Sequence, residues 1–205
     1  MGYAAVVLAA GSATRMGRPK QLEPVGGRPL VRWAVEAALA AGLGPVVVVT
    51  GAAAEAVAAA VADLPVRTVH NPDHPAGMGR SVAAGVAALG PEVRAAVVLL
   101  GDQPLVPPEL LGALVRAHDP PGATIVRPGY PSGRLAPPAL FDRRHFPELA
   151  ALTGDRGASA VIARHPDCTR VVPWPDDLPL LDVDTPEDLE TVRRYVSDVG
   201  FTSSW

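Results

Sequence analysis

The sequence predicts an α/β fold built on a largely parallel sheet, and three observations lead there. Short apolar runs recur along the chain, segments with helical spacing separate them, and glycine- or asparagine-led loops follow the runs. In such sheets ligands sit beyond the carboxyl ends of the strands. The loops that start at Gly11, Gly51, Asn71 and Gly101 are therefore expected to share one rim.

Taken in order, Ala4 to Ala10 is a buried-strand run, and it is too short and lacks the preceding positive charge to be a secretory leader. Leu30, Val31, Ala34, Val35 and Ala38 repeat at helical spacing, with Arg32 and Glu36 on the other face; Gly42, Gly44 and Pro45 end that helix. Val46 to Thr50 is a second, β-branched strand, Ala53 to Ala62 an alanine-rich helix, and Val66 to His70 a short strand. Ser81 to Leu89 is expected to be helical, and Ala95 to Leu100 is another buried strand. Pro107 opens a helix carrying Leu110, Leu111 and Leu114. From Pro128 to Phe146 prolines and glycines loosen the pattern, as in a small β excursion forming one side of a cleft. Helix and strand return at Val161 to His165 and Thr169 to Val172, and Leu180 to Val183 reads as a last strand. Thr185-Pro186-Glu187-Asp188 is a helix start, with a threonine cap, a proline in the first turn and a carboxylate at the third position. No repeat or linker interrupts this order, which predicts one domain over residues 1–198 and a tail, 199–205, of unassigned role.

Bulk properties narrow the function. The chain has 205 residues, 48% of them hydrophobic, enough for a sizeable core. A net charge of −3 excludes a basic nucleic-acid binder, and no stretch is apolar for long enough to span a bilayer. A single cysteine, Cys168, supports no disulfide framework, consistent with a cytoplasmic protein. Lys20 is the only lysine among many arginines, which suggests a position where a compact ammonium is required.

Four segments carry chemistry. Leu8-Ala9-Ala10-Gly11-Ser12 runs from a strand into a small-residue loop with Arg15, Arg18 and Lys20 behind it. Backbone N–H groups can approach phosphates there, and Arg15 and Lys20 can neutralise them. The spacing matches neither a Walker loop nor the dinucleotide fingerprint, which argues against a nicotinamide enzyme. Gly101-Asp102-Gln103-Pro104 places an aspartate just beyond a buried strand, where carboxylate and phosphate oxygens suit Mg²⁺. Asp182 and Asp184, alternating on the last strand, would share one face; Asp184 is the favoured second metal ligand. In His70 to Ser81, Asn71, Ser81 and the backbone can read a base or ribose, and the two histidines lack a third ligand for zinc.

Together these segments resemble the molybdenum-cofactor nucleotidyltransferases, over nearly the whole chain and in order. Leu-Ala-Ala-Gly…Arg-Met-Gly…Lys, Gly101-Asp102-Gln103-Pro104, Gly77-Met78, Gly154-Asp155-Arg156-Gly157-Ala158 and Asp-Val-Asp-Thr-Pro carry the resemblance. It implies a Rossmann-like three-layer fold with helices on both sheet faces, and transfer of a nucleoside monophosphate to a phosphorylated pterin with release of pyrophosphate. Carried over residue by residue, it makes Leu8, Ala9, Ala10, Gly11, Ser12, Arg15 and Lys20 the base and triphosphate cradle, with Asn71, Gly77, Met78, Ser81 and Gly101 completing the nucleotide site. Lys20, Arg15 and Asp102 become the catalytic residues, and Asp102 and Asp184 the Mg²⁺ ligands. Gln103, Asp155, Arg156 and Gly157 fall to the acceptor side. Ala10 and Gly101, where the guanylyl branch carries glycine and cysteine, turn the resemblance toward the cytidylyl branch and CTP. On the acceptor side Ala136, Pro137 and Ser159 depart from the family's glycine, polar residue and arginine. The implied partners are CTP, a molybdopterin acceptor and, transiently, a molybdenum apoenzyme. The alternatives are a guanylyltransferase on the same cofactor, a same-fold transferase on another phosphorylated acceptor, and a non-catalytic maturation factor.

Overall fold

The computed structural model describes residues 2–12, 14–118 and 122–198. The tail assigned to 199–205 lies outside the described residues. The strands are β1 (Gly2–Ala9), β2 (Pro24–Val25), β3 (Arg28–Pro29), β4 (Val46–Thr50), β5 (Arg67–His70), β6 (Val93–Leu100), β7 (Ile125–Gly129), β8 (Ala139–Asp142) and β9 (Thr169–Pro173). Seven of them form one sheet in the order β5-β4-β1-β6-β8-β7-β9. Pairings β1–β4, β1–β6, β4–β5 and β7–β9 are parallel, and only β8 runs against its neighbours.

Helices α1 (Leu30–Ala40), α2 (Ala54–Ala60), α3 (Met78–Ala87), α4 (Pro108–His118), α5 (Phe146–Ala150), α6 (Ser159–Arg164) and α7 (Pro186–Asp198) surround the sheet. Alternation along β1 decides what each face meets. Ala5, Val7 and Ala9 pack with Val31 and Val35 of α1 and Leu110, Leu111 and Leu114 of α4. Ala4, Val6 and Leu8 pack instead with Val82 and Val86 of α3, Leu149 of α5 and Val161 of α6. Covered on both faces, the central strands read as unbroken apolar runs rather than as alternation. A third cluster joins Leu30 and Trp33 to Val25 and to Leu189, Val192 and Val196 of α7.

Three expectations are corrected. The Pro128 to Phe146 region is not set apart from the main sheet: β7 and β8 form an antiparallel hairpin within it. The small separate ribbon is β2–β3, a two-residue pairing too short to show a period in the sequence. Leu180 to Val183 is not a strand. It follows a 3₁₀ turn over Leu178–Leu180, and its Val183 N–H donates to the Asp102 carbonyl at 3.0 Å. An apolar run reports burial, and here Leu180 and Val183 are buried without sheet pairing. Strand alternation therefore cannot be the reason that Asp182 and Asp184 share a face. Finally, α3 begins at Met78, ahead of the expected Ser81. Its first turn has no side-chain cap; the Gly79 N–H is satisfied by the Gly154 carbonyl at 2.8 Å, a partner distant in sequence.

The predicted start of α7 forms a reciprocal cap. Asp188 N–H donates to Thr185 Oγ1 at 3.2 Å, and Thr185 N–H donates to Asp188 Oδ2 at 2.8 Å. Burial raises the Asp188 carboxyl, but the bonds from Thr185 and from the Asp184 N–H outweigh it and hold it below the usual carboxylate value. Thr185→Ala is expected to lower stability by about 1 kcal/mol and Thr185→Ser to restore most of it, as read by urea unfolding.

Candidate active site

The parallel strands β1, β4, β5 and β6 end at one rim, and the loops after them meet there. Asn71 N–H donates to the Thr50 carbonyl at 2.8 Å and Gly101 N–H to the Leu8 carbonyl at 2.9 Å, tying neighbouring strand ends together. Above them opens a cleft of about 560 Å³. Leu8, Ala10, Gly11 and Ser12 form one wall, and Gly77, Met78 and Ser81 form another. Arg15, Lys20, Asp102, Asp155 and Asp184 supply the charge.

The centre of the cleft is an ion cluster. Lys20 Nζ lies 2.6 Å from Asp102 Oδ2 and 2.6 Å from Asp184 Oδ1, so the ammonium occupies the space between the two carboxylates. Arg15 Nη2 donates to the other oxygen of Asp184 at 2.7 Å. Lys20 arrives on a short 3₁₀ turn, Lys20–Leu22, after Pro19, and its side chain is only 10% exposed. Burial alone lowers the Lys20 ammonium, but the two carboxylates outweigh it and hold its pKa above the ordinary value. Burial pushes the Asp102 carboxyl up, and Lys20 opposes that push. For Asp184 burial is overcome by the bonds from Lys20 and Arg15, which keep it below its usual value. Arg18, the third basic residue of this loop, turns away to Glu23, with Nε 2.6 Å from Oε1.

Asp102 Oδ1 is buried and has no hydrogen-bond partner. Asp182 joins Asp184 on the lining of the cleft. Hard carboxylate oxygens beside a space for phosphates are the donor set that Mg²⁺ or Mn²⁺ takes, so the residues present fit such an ion. Lys20 and a divalent cation would compete for the same two carboxylates.

Asn71 does not line the cleft. It is buried, donates from Nδ2 to Ser81 Oγ at 3.1 Å, and accepts the Asp73 N–H at Oδ1 at 3.0 Å. It thus aims Ser81 and holds the turn after β5. Gly101 and Ala9 support from behind: a Cβ on Gly101 would lie 3.1 Å from the Leu8 carbonyl oxygen and 3.3 Å from Ala9 Cβ. Gln103 is buried, with its Oε1 unpartnered, and is on the lining neither of this cleft nor of the cavity beside it. Gly157 packs on the Met78 side chain and serves the loop, not the cavity wall.

A second cavity of about 340 Å³ continues from the cleft and shares Leu8, Met78, Leu100 and Asp155 with it. Its far walls are Val82, Val98, Ala136, Pro137 and Ile162, with Arg127, Arg156 and Ser159 as polar groups. The departures at Ala136, Pro137 and Ser159 therefore all fall on this cavity. Sequence reasoning missed Gln21, His74 and Pro75 on the cleft. Gln21 Nε2 donates to the Gly11 carbonyl at 3.0 Å and so shapes the small-residue loop. Its place beside Lys20 was the signal that could have found it.

Comparison with known proteins agrees with this arrangement. The MobA-like NTP transferase domain model matches residues 5–171. Nicotine blue oxidoreductase of Paenarthrobacter nicotinovorans is 37% identical over 198 residues, 92% of each chain. Rv0371c from Mycobacterium tuberculosis H37Rv, solved in complex with manganese, superposes with a TM-score of 0.76 at 31% identity, covering 95% of this chain and 98% of that one. A nucleotidyl transferase from Methanothermobacter thermautotroptrophicus superposes with a TM-score of 0.83 at 25% identity, covering 97% and 99%. With this sheet order, this cleft and these matches, the chain belongs to the MobA-like NTP transferase family and is a nucleotidyltransferase.

Proposed function

We propose that this nucleotidyltransferase moves CMP from CTP to the terminal phosphate of a phosphorylated pterin, molybdopterin, and releases pyrophosphate. The observation that carries the reading is the Asp102–Lys20–Asp184 cluster at the mouth of the small-residue loop, with an enclosed, ring-sized cavity beside it. The triphosphate lies along Ala10 to Ser12, where backbone N–H groups approach it without side chains intervening. Gly77, Met78 and Ser81 flank the nucleoside. The methyl group of Ala10 narrows the base side of the cleft, which favours a pyrimidine. The acceptor's phosphate oxygen is already an anion and attacks the α-phosphorus in line, so no strong general base is needed. Lys20 and Arg15 neutralise charge that develops on the leaving pyrophosphate, and the cleft positions the two reactants. A divalent cation, Mg²⁺ in this reading, held by Asp102 and Asp184, would supply further neutralisation of phosphate charge. The flat pterin ring lies between the apolar walls of the second cavity, with Asp155, Arg156 and Ser159 at its edge. No described helix is long and apolar enough to cross a membrane, and the reading places the protein in the cytoplasm.

The test is pyrophosphate release with Mg²⁺ and each of CTP, GTP, ATP and UTP, with and without molybdopterin. Release is expected with CTP and to depend on the acceptor. Release with GTP overturns the base assignment but keeps the chemistry. Release with CTP only when a sugar phosphate replaces the pterin overturns the acceptor.

A further inference from the structure

A second cluster of ligand-type side chains lies at the opposite end of the sheet. Because β8 runs antiparallel, its last residue, Asp142, pairs with Ala95 near the amino end of β6. The chain then turns through Arg143–His145 into α5. His145 and Glu148 stand three residues apart on this turn and meet on one side. His165 follows directly after α6. Its Nε2 lies 2.7 Å from Glu148 Oε2, and His145 Nδ1 lies 3.9 Å from the same oxygen. One ligand atom from each of the three lies within 4.8 Å of the others.

An ordinary ion pair explains part of this cluster, since Glu148 also accepts from Arg164. It does not explain His145. That imidazole is 5% exposed, and its Nε2 pairs with the buried Thr124 hydroxyl at 2.7 Å. In the tautomer whose Nε2–H donates to Thr124, the Nδ1 lone pair faces Glu148 and is open to a cation. A ring nitrogen fixed by a hydrogen bond while the other faces a carboxylate and a second imidazole is the arrangement around metal-bound histidine. Burial, and then the neighbouring His165, hold the His145 pKa below its ordinary value. The two rings sit 4.7 Å apart, a spacing that a shared cation favours and two imidazolium charges oppose.

We propose that His145, Glu148 and His165 form a site for a divalent transition-metal cation, best suited to Zn²⁺, with water as the fourth ligand. Tetrahedral zinc at its usual bond lengths places ligand atoms about 3.3 Å apart. The two separations from Glu148, 2.7 and 3.9 Å, lie on either side of that value and all three ligand atoms lie within 4.8 Å of one another, so side-chain shifts on the order of an ångström close the site. The ion would replace Arg164 as the main partner of Glu148. Its effect on the protein follows from chain order. Glu148 and His165 bracket the segment that presents Asp155 and Arg156 to the acceptor cavity. A cation joining those two residues clips both ends of that segment and restrains its loop.

The experiment titrates Zn²⁺, and Co²⁺ as a visible probe, into chelator-treated full-length protein held in millimolar Mg²⁺. One Zn²⁺ per chain is expected, with a rise in melting temperature, and the Co²⁺ form is expected to show the visible absorption of a tetrahedral site. His165→Gln and Glu148→Gln, both at partly exposed positions, should each weaken Zn²⁺ binding at least about tenfold, and Thr124→Val by about tenfold. Binding that survives His165→Gln and Glu148→Gln but disappears in Asp184→Asn would assign the ion to the cleft and overturn the proposal. No saturable Zn²⁺ binding in the unmodified protein would overturn it as well. Neither result bears on whether the cleft transfers a nucleotide.

Discussion

Lys20→Ala and Asp102→Ala are each expected to lower turnover by at least about a hundredfold, the scale for losing one electrostatic element of a phosphoryl-transfer site. The loss should appear in kcat more than in KM, because the charge these groups meet grows in the transition state. Lys20→Arg should also be impaired. The ammonium sits 2.6 Å from an oxygen of each aspartate, and a planar guanidinium cannot fill that space without moving one of them. The two losses should not add in the double variant, since both residues belong to one cluster. Stability separates the roles further. Removing Lys20 leaves Asp102 buried without its cation, which for a buried pair costs about 3–5 kcal/mol. Mg²⁺ or Mn²⁺ can then enter between the carboxylates unopposed, so either ion should raise the melting temperature of Lys20→Ala more than that of the unmodified protein. Near-normal turnover in Lys20→Ala and Asp102→Ala would remove the cluster from the mechanism. An equal thermal response to metal would remove the competition between Lys20 and the ion.

Gly77→Ala should damage both folding and nucleotide binding. Gly77 has φ 106°, a conformation that side chains rarely adopt, and a Cβ there would lie 2.4 Å from the Gly154 carbonyl carbon and 2.5 Å from its oxygen. The neighbour is backbone, so it cannot swing aside as a flexible side chain would. Strain and overpacking together should cost about 2–5 kcal/mol. Gly133→Ala provides the comparison: its φ is 73°, but the added methyl meets nothing within 4 Å, so only the backbone cost of about 1–2 kcal/mol is expected. The contact matters for function because it is where the loop carrying Asp155 meets the first turn of α3, and both line the cleft. Loss of nucleoside triphosphate affinity in Gly77→Ala with none in Gly133→Ala is the expected pattern. Equal stability of the two variants would mean that the loop 153–158 is free to move away from α3.

Much of this architecture was legible in the amino-acid order. The runs that became β1, β4 and β6 are apolar and β-branched or small because both of their faces are covered, and no long-range information was needed to see that. The helix start at Thr185 was equally plain, since a reciprocal cap is written in four consecutive residues. The rim on which Gly11, Asn71 and Asp102 gather followed from parallel order alone, and the resemblance was carried by the motif running from Leu8 to Lys20. Other features depended on partners far away in the chain. Leu180 to Val183 looked like a strand because burial makes a segment apolar whether or not it pairs; only packing beside the Asp102 loop decided that it does not. Nothing local marks β8 as antiparallel, yet that direction carries His145 to the end of the sheet opposite the cleft. The start of α3 at Met78 was hidden because the Gly79 N–H in its first turn is satisfied by the distant Gly154 carbonyl rather than by a neighbouring side chain. The sequence by itself determined the layered fold, the rim and the residue types of the cleft, because those rest on local periodicity and on turn chemistry. Only the tertiary structure decided that the ammonium of Lys20 sits between Asp102 and Asp184, and that His165 joins His145 at Glu148, because both depend on side chains more than a dozen residues apart being brought together by the fold.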